Sequence, residues 1–243
     1  MQTIELEAAL LLARKRKKEN QRSRLKVLDL GCGQGRHCHG LQYLADQYDY
    51  PLQIIGLDIN VDDLQFAKTS ATLFSASAEY VCGDIHSLPF IEGSFDLVIC
   101  SEVIEHVPNW QQLLYYCRTL MTQEAVLALS FPTAWIERLC WQLDNHYFQT
   151  PGGHIRIMQE DQVTQQATRL ELKLVERYRR HALHSPYWWL RCAYRQNESA
   201  LLVRLYKRFL EWELMNQPKA LGRIEKILNP ILGKSTSLVF VCD

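Results

Sequence analysis

Between residues 25 and 132 the chain alternates short, nearly unbroken apolar runs with longer amphipathic stretches. "LKVLDL" (25–30), "LQIIGLD" (52–58), "AEYVCGD" (78–84), "FDLVICS" (95–101) and "AVLALSFP" (125–132) have the length and the apolar content of strands. Strands that are apolar on both faces belong inside a sheet covered on both sides. The stretches between them predict helices over 35–47, over 61–74 with Asn60 as the cap, and over 110–121. Upstream, Ile4, Leu6, Leu10, Leu11 and Ala13 form the apolar side of a helix over 4–18 that ends in a basic run, Arg14 to Lys18. Strand and helix alternating at this spacing predict right-handed βαβ units and a parallel sheet.

After Pro132 the rhythm changes. "TAWIERLCWQLDNHYF" (133–148) is aromatic with a helical period, "QTPGGHIR" (149–156) is turn-rich, 159–170 reads as a helix, and "ELKLVERYR" (171–179) as a strand with one wet face. A long aromatic and basic stretch, 181–235, precedes a last strand, "SLVFVC" (237–242). These shifts divide the chain into an N-terminal amphipathic helix (1–24), an α/β core (25–132, 159–180 and 236–243) and a helical cap (133–158 and 181–235). An open sheet accepts such a cap most readily above its strand ends.

Composition narrows the classes. The 243 residues balance 27 Lys and Arg against 27 Asp and Glu. That balance gives no reason to expect specific nucleic-acid binding. No apolar run reaches the roughly 20 residues of a membrane span. The first residues place acids before the apolar stretch and bases after it, opposite to a secretory leader, so a cytoplasmic location is expected. Eight cysteines without a C-x-x-C pair read as reduced, mostly buried small residues.

"VLDLGCGQGRHCHG" (27–40) admits three chemistries: a metal site, a redox pair, or a backbone loop for a nucleotide-like ligand. A metal would need Cys32, His37, Cys38 and His39 to converge, yet successive helical residues point in different directions. Gly31, Gly33 and Gly35 allow a tight turn and a close backbone approach to a ligand. Arg36 stands where a dinucleotide fingerprint has its third glycine, so that fingerprint is incomplete. Asp29, at the end of an apolar strand, needs a cationic or donor partner. A ligand carrying an ammonium and a sulfonium would provide one, whereas a pyrophosphate would be repelled.

"VLDLGCGQG", "IIGLDIN" (54–60), "VCGDIHSLPF" (81–90) and "FDLVICSEVIEHV" (95–107), in this order, resemble the motif set of class I S-adenosylmethionine-dependent methyltransferases. The resemblance covers roughly 25–180 and lies nearest the small-molecule methyltransferases, including those of the ubiquinone pathway. It implies a Rossmann-like, seven-stranded, mostly parallel sheet whose last strand is antiparallel, with helices on both faces. It also implies S-adenosylmethionine as cofactor. Asp29 and the Gly31, Cys32, Gly33, Gly35 loop would hold the amino-acid end of the cofactor. Asp58, followed by Ile59, would accept the ribose hydroxyls; Asp84, with the backbone of Ile85, would meet the adenine edge; Ser101 would line the methionine moiety.

Glu102, Glu105 and His106 fall at i, i+3 and i+4 and would share one face of a helical turn. Some ubiquinone-pathway enzymes resembling this chain hold a divalent cation with such a set, while many relatives carry the Glu-His pair without one; a metal is not the favoured reading here. His106 and His154 are the candidate catalytic residues. His154 would act as a base above the transferred methyl or order its loop, and Arg156 would position an acidic acceptor or pair with a carboxylate. Tyr187, Trp188, Trp189 and Tyr194, with Arg177, Arg179, Arg180 and Arg191 nearby, would line an acceptor pocket, rest peripherally on a membrane, or simply pack the cap. The implied reaction is methylation of an O, N or C atom of a small, hydrophobic metabolite. A non-catalytic or regulatory binding protein acting through the aromatic cap is the alternative, with protein or RNA methylation less expected. The acceptor and the oligomeric state stay open.

Overall fold

The structure is a computed structural model that describes residues 4–17, 23–73, 77–85, 87–144, 146–147, 153–195 and 197–242. The expectations for Lys18, for the last residue of the 61–74 helix and for 149–152 lie outside these residues. The first half runs α1 (Leu6–Arg16), β1 (Leu25–Leu30), α2 (Arg36–Tyr48), β2 (Leu52–Asp58), α3 (Val61–Leu73), β3 (Glu79–Cys82), β4 (Phe95–Ser101), α4 (Trp110–Leu120) and β5 (Met121–Pro132). The second half runs α5 (Ala134–Leu143), α6 (Glu160–Arg169), β6 (Leu172–Arg180), α7 (His184–Ala193), α8 (Leu201–Asn216), α9 (Lys219–Leu232) and β7 (Ser235–Cys242).

The strands form one seven-stranded sheet in the order β3-β2-β1-β4-β5-β7-β6. Pairing is parallel from β3 through β5, and β7 is antiparallel to both β5 and β6. The antiparallel last strand and the helices on both faces match the Rossmann-like expectation. β5 differs from it: the strand begins at Met121, four residues earlier than the apolar run, by pairing Met121 with Phe95 across an irregularity in the register.

Alternation along the strands builds two cores. Leu28, Leu30, Val98 and Cys100 face α4 and α6 through Leu113, Cys117, Val163 and Ala167. Val27, Ile54, Leu97 and Ile99 face α1, α2 and α3 through Leu10, Leu41 and Ala67. A third, smaller cluster, Tyr187, Val203 and Leu210, joins α7 to α8 with Trp188 and Tyr206 packed against it. The basic end of α1 is not a solvated charge run. Arg14 Nη1 donates to Ser23 O at 2.6 Å, Arg16 reaches the carbonyls of Glu124 and Cys242, and Lys17 pairs with Asp96 at 2.9 Å. None of the eight cysteines forms a disulfide; seven are buried and Cys82 is exposed.

Two buried acids show opposite balances. Asp96 keeps its charge compensated, because Oδ2 accepts from Lys17 Nζ and from Lys26 N–H, each at 2.9 Å. Glu105 is 0% exposed and neither carboxylate oxygen has a hydrogen-bond partner. Burial, reinforced by the nearby Glu102, pushes its carboxyl well above the ordinary range. The folded state therefore favours the neutral acid, a contribution fully present below pH ~4.5 and lost as the pH rises. Glu105→Gln is expected to stabilise the fold by about 1–3 kcal/mol at pH 8 and far less at pH 4. Denaturant melts at the two pH values check this, and an equal effect at both would refute the assignment.

Candidate functional site

In an open parallel sheet the crevice lies beyond the carboxyl ends of the strands where their order reverses. Here the reversal falls between β1 and β4, and the loop after β1 stands at its mouth. Gly31, Gly33 and Gly35 all have positive φ. Space is as restrictive as conformation at two of them: a Cβ on Gly31 would lie 2.4 Å from Val103 Cγ2, and one on Gly35 2.6 Å from the Tyr80 hydroxyl. The loop is tied to β2 by backbone bonds from Gly31 and Cys32 to Leu57 O. Gly33 N–H adds a 2.7 Å bond to Asp58 Oδ2, and Asp58 Oδ1 accepts from Asn60 N–H at 2.9 Å. Asn60 Oδ1 accepts from the N–H groups of Asp62 and Asp63, capping α3 as its position predicts.

A cleft of about 450 Å³ opens at these strand ends. Gly31, Asp58 and Ile59 form one wall, Gly83, Asp84 and Ile85 the next, and Glu102, Val103 and His106 the third. Among the described residues that line it there are three acids and no lysine or arginine. A polyphosphate would be repelled there, whereas a ligand with cationic groups would be favoured.

The other predicted cofactor residues stand behind this lining. Asp29 is fully buried, 3.6 Å from His37 Nδ1 and within 3.6 Å of Cys38 Sγ, and its Oδ1 has no hydrogen-bond partner. Cys32 turns its thiol inward over Gly56, where a Cβ would lie 2.8 Å from the sulfur. Ser101 Oγ meets Ser130 Oγ at 2.9 Å. His37 and Cys38 turn to Asp29, while His39 Nε2 turns to the Tyr80 hydroxyl at 3.0 Å.

One expected arrangement is corrected. Glu102, Glu105 and His106 do not share a helical face, because Glu102 has a left-handed backbone (φ +54°) and only residues 104–106 form a turn. Glu102 lines the cleft, Glu105 points into the core, and His106 returns to the cleft. The ligand atoms that gather within 4.8 Å are those of Glu105, His106 and His154.

His106 and His154 are brought together, with ring centroids 5.0 Å apart. His106 Nδ1 lies 3.1 Å from Gly153 O, and burial, with the second imidazole, lowers its tendency to protonate. His154 Nδ1 lies 2.6 Å from Glu137 Oε1, which also accepts from Trp141 Nε1 at 3.1 Å. Burial alone pushes the Glu137 carboxyl up, yet the bond and charge of His154, with Lys234 and Trp141, bring it net below the ordinary value. Glu137 was not among the residues singled out from sequence. Its only local signal is a charge on the buried side of α5, between Ile136 and Cys140.

Among the described residues Arg156 pairs with no acid; its Nη2 donates to Pro108 O at 2.7 Å, at the turn before α4. The aromatic group mostly packs. Trp188 lies under Arg191 and Lys234, Trp189 against Trp135, and Tyr187 against Tyr206, while Tyr194 stays exposed. Tyr147 bridges this cluster to the site, edge-on to both His154 and Trp188.

Comparison with known proteins agrees with this geometry. A curated ubiquinone biosynthesis O-methyltransferase of Bradyrhizobium diazoefficiens is 30% identical over 106 residues, 44% of this chain and 39% of its own length. Phosphoethanolamine N-methyltransferase 1 of Arabidopsis thaliana is 32% identical over 92 residues, 38% of this chain and 18% of its own. The matched stretch thus spans well under half of these relatives. Among solved structures, the YcgJ protein of Bacillus subtilis superposes with a TM-score of 0.60 at 14% identity over 97% of this chain and 98% of that one. The [4+2]-cyclase SpnF does so at 0.59 and 14% identity, over 97% and 80%. At such identity these two show the fold alone. The family model described as the methyltransferase domain matches residues 21–178, and the chain belongs to that family, the class I S-adenosylmethionine-dependent methyltransferases.

Proposed function

We propose that this protein transfers a methyl group from S-adenosylmethionine to an O, N or C atom of a small, hydrophobic metabolite. One observation carries the reading: Gly31, Asp58, Asp84, Ile85, Glu102 and His106 converge on one acid-lined cleft at the strand-order reversal. The residues fit the cofactor. Asp58 is held by two backbone N–H groups and retains lone pairs for a pair of ribose hydroxyls. Glu102, on the cleft wall with Oε1 unpartnered, suits a positive charge of the methionine end, and Asp29 lies buried behind the lining with Oδ1 3.6 Å from His37 Nδ1. When bound, the cofactor supplies a methyl group on a sulfonium, already activated for in-line displacement.

The protein then has to orient the acceptor and take its proton where it starts protonated. His154 is built for that. Glu137 accepts from Nδ1–H, which leaves Nε2 as the basic nitrogen and steadies the ring as it becomes charged. His106, at the cleft wall, stands beside it to line the acceptor's path. Tyr147 and Trp188 continue an aromatic surface from His154 into the cap, which supports an apolar or aromatic acceptor.

A peripheral seat on lipid is the corollary. Helix α9 buries none of its residues, and Ile224, Ile227 and Ile231 are exposed on it beside Lys219, Arg223 and Lys226. An apolar stripe flanked by bases fits an anionic bilayer surface.

Calorimetry with S-adenosylmethionine and its demethylated product tests the cofactor assignment. Asp58→Ala is expected to weaken binding at least about tenfold, the loss of a charge-assisted pair; unchanged affinity would refute it. Labelled methyl donor, incubated with metabolites from a strain lacking the gene, identifies the acceptor. With an O–H acceptor, His154→Ala should lower kcat by about 10²–10⁴. Glu137→Gln should lower kcat and shift its pH profile, with the KM for the methyl donor unchanged in both. Binding without any labelled product would favour the non-catalytic reading. Cosedimentation with vesicles should require anionic lipid and be lost in Ile227→Glu; equal binding to neutral vesicles would sink the lipid assignment.

A further inference from the structure

The turn from β6 into α7 carries a second histidine pair that the methyltransferase reading does not use. His181 and His184 stand in an H-x-x-H spacing, "HALH". His181 has a left-handed backbone, φ +67°. For a residue with a Cβ that conformation is strained, and it persists where the surroundings over-determine it. Its effect is to turn the His181 ring back toward His184, edge to face, with centroids 5.4 Å apart. Glu225 of α9 completes the group. One ligand atom each from His181, His184 and Glu225 lies within 4.8 Å of the other two. His184 Nδ1 is buried without a hydrogen-bond partner, so this nitrogen is shielded from water and unused within the described protein.

The geometry points to a divalent transition-metal site, suited first to Zn²⁺, formed by His181, His184 and Glu225. Two imidazoles and one carboxylate are a borderline donor set, which selects zinc and its neighbours over calcium or magnesium. A tetrahedral ion at about 2.0–2.2 Å from each ligand holds them about 3.3 Å apart, so atoms now within 4.8 Å of one another close by at most about 1.5 Å on binding. Three protein ligands leave the fourth position to water. Glu225 also accepts a hydrogen bond from the backbone of Leu183, which anchors the carboxylate on the turn that carries both histidines.

The site has a structural use. Helix α9 buries no residue of its own. Polar contacts tie its C-terminal end to the β6–α7 segment: Asn229 Oδ1 accepts from Ala182 N–H at 3.0 Å, Pro230 O from Arg179 at 2.9 Å, and Leu232 O from Ser185 Oγ at 2.6 Å. An ion held by Glu225 staples the helix one turn earlier, reinforcing the bond from the Leu183 backbone to that carboxylate. The charges facing the group are one acid, Glu213, near Glu225, and two cations, Lys234 near His184 and Arg180 near Glu225. Both cations are engaged elsewhere: Lys234 Nζ sits 4.9 Å above the Trp188 ring, and Arg180 lies 3.7 Å from Glu5. They oppose a dication and place the affinity below that of a thiolate-rich zinc site.

Titration of the chelator-treated full chain with Zn²⁺, and with Co²⁺ as a spectroscopic substitute, tests the site. One equivalent of Co²⁺ is expected, with the visible absorption of a four-coordinate nitrogen and oxygen environment. Zn²⁺ should raise the melting temperature, because it binds only the folded chain. His181→Ala and His184→Asn should each weaken binding at least tenfold. Glu225→Gln keeps the hydrogen bond to Leu183 and should do the same without unfolding the turn. His154→Ala should leave the equivalent in place, which separates this site from the Glu105, His106, His154 group in the cleft. No bound equivalent in the wild type, or an equivalent lost in His154→Ala and retained in Glu225→Gln, overturns the proposal.

Discussion

The site hangs on one pairing constraint: β1 is hydrogen-bonded in parallel to β2 on one edge and to β4 on the other. Chain connections therefore leave β1 and β4 in opposite directions across the sheet, and no helix can cover the gap between them at the carboxyl ends. The loop after β1 falls into that gap. It is held there by the bonds to Leu57 O and by Gly33 N–H on the Asp58 carboxylate. Because the loop and the end of β2 share this bond, the geometry of the glycine turn and the direction of Asp58 are set together.

Electrostatics then selects what the gap can hold. Asp58, Asp84 and Glu102 line it, Asp29 lies buried behind it, and no lysine or arginine joins the described lining. The same acids that make a pyrophosphate unwelcome make a sulfonium and an ammonium welcome. Glu105 is the extreme of the pattern, a carboxyl closed in the core beneath the cleft and driven toward neutrality. Beside it, Glu137 keeps its charge because His154 bonds to it. Two neighbouring carboxyls thus take opposite protonation tendencies for local reasons: one accepts hydrogen bonds from His154 and Trp141, and the other, with His106 Nε2 3.9 Å away, accepts none.

The SpnF likeness marks the limit of the fold as evidence. A protein described as a [4+2]-cyclase shares the architecture, so the sheet alone does not define the reaction. The residues that would define it here, Glu137, His154 and Tyr147, come from the segments after β5, and they meet the cleft wall at His106.

β1, β2 and β4 were legible to the residue, because strands buried on both faces show as unbroken apolar runs with a glycine or an acid at the end. The early start of β5 was not, since Met121–Glu124 is drawn into the sheet by Phe95 and not by its own apolar pattern. Gly31, Asp58, Asp84 and Ile85 could be placed from sequence because each lies at or just beyond the carboxyl end of a strand, and a parallel sheet delivers all such positions to one edge. Glu102 and Glu105 could not, because a single left-handed residue sends their side chains apart. Arg156 and Glu137 likewise found partners 48 and 17 residues away. The sequence by itself determined the sheet, the glycine loop after β1 and the family, which implies S-adenosylmethionine as cofactor, all encoded in short periodic or contiguous patterns. Only the tertiary structure decided which histidines pair and which acid bonds to His154, because those contacts join segments with no local signal for each other.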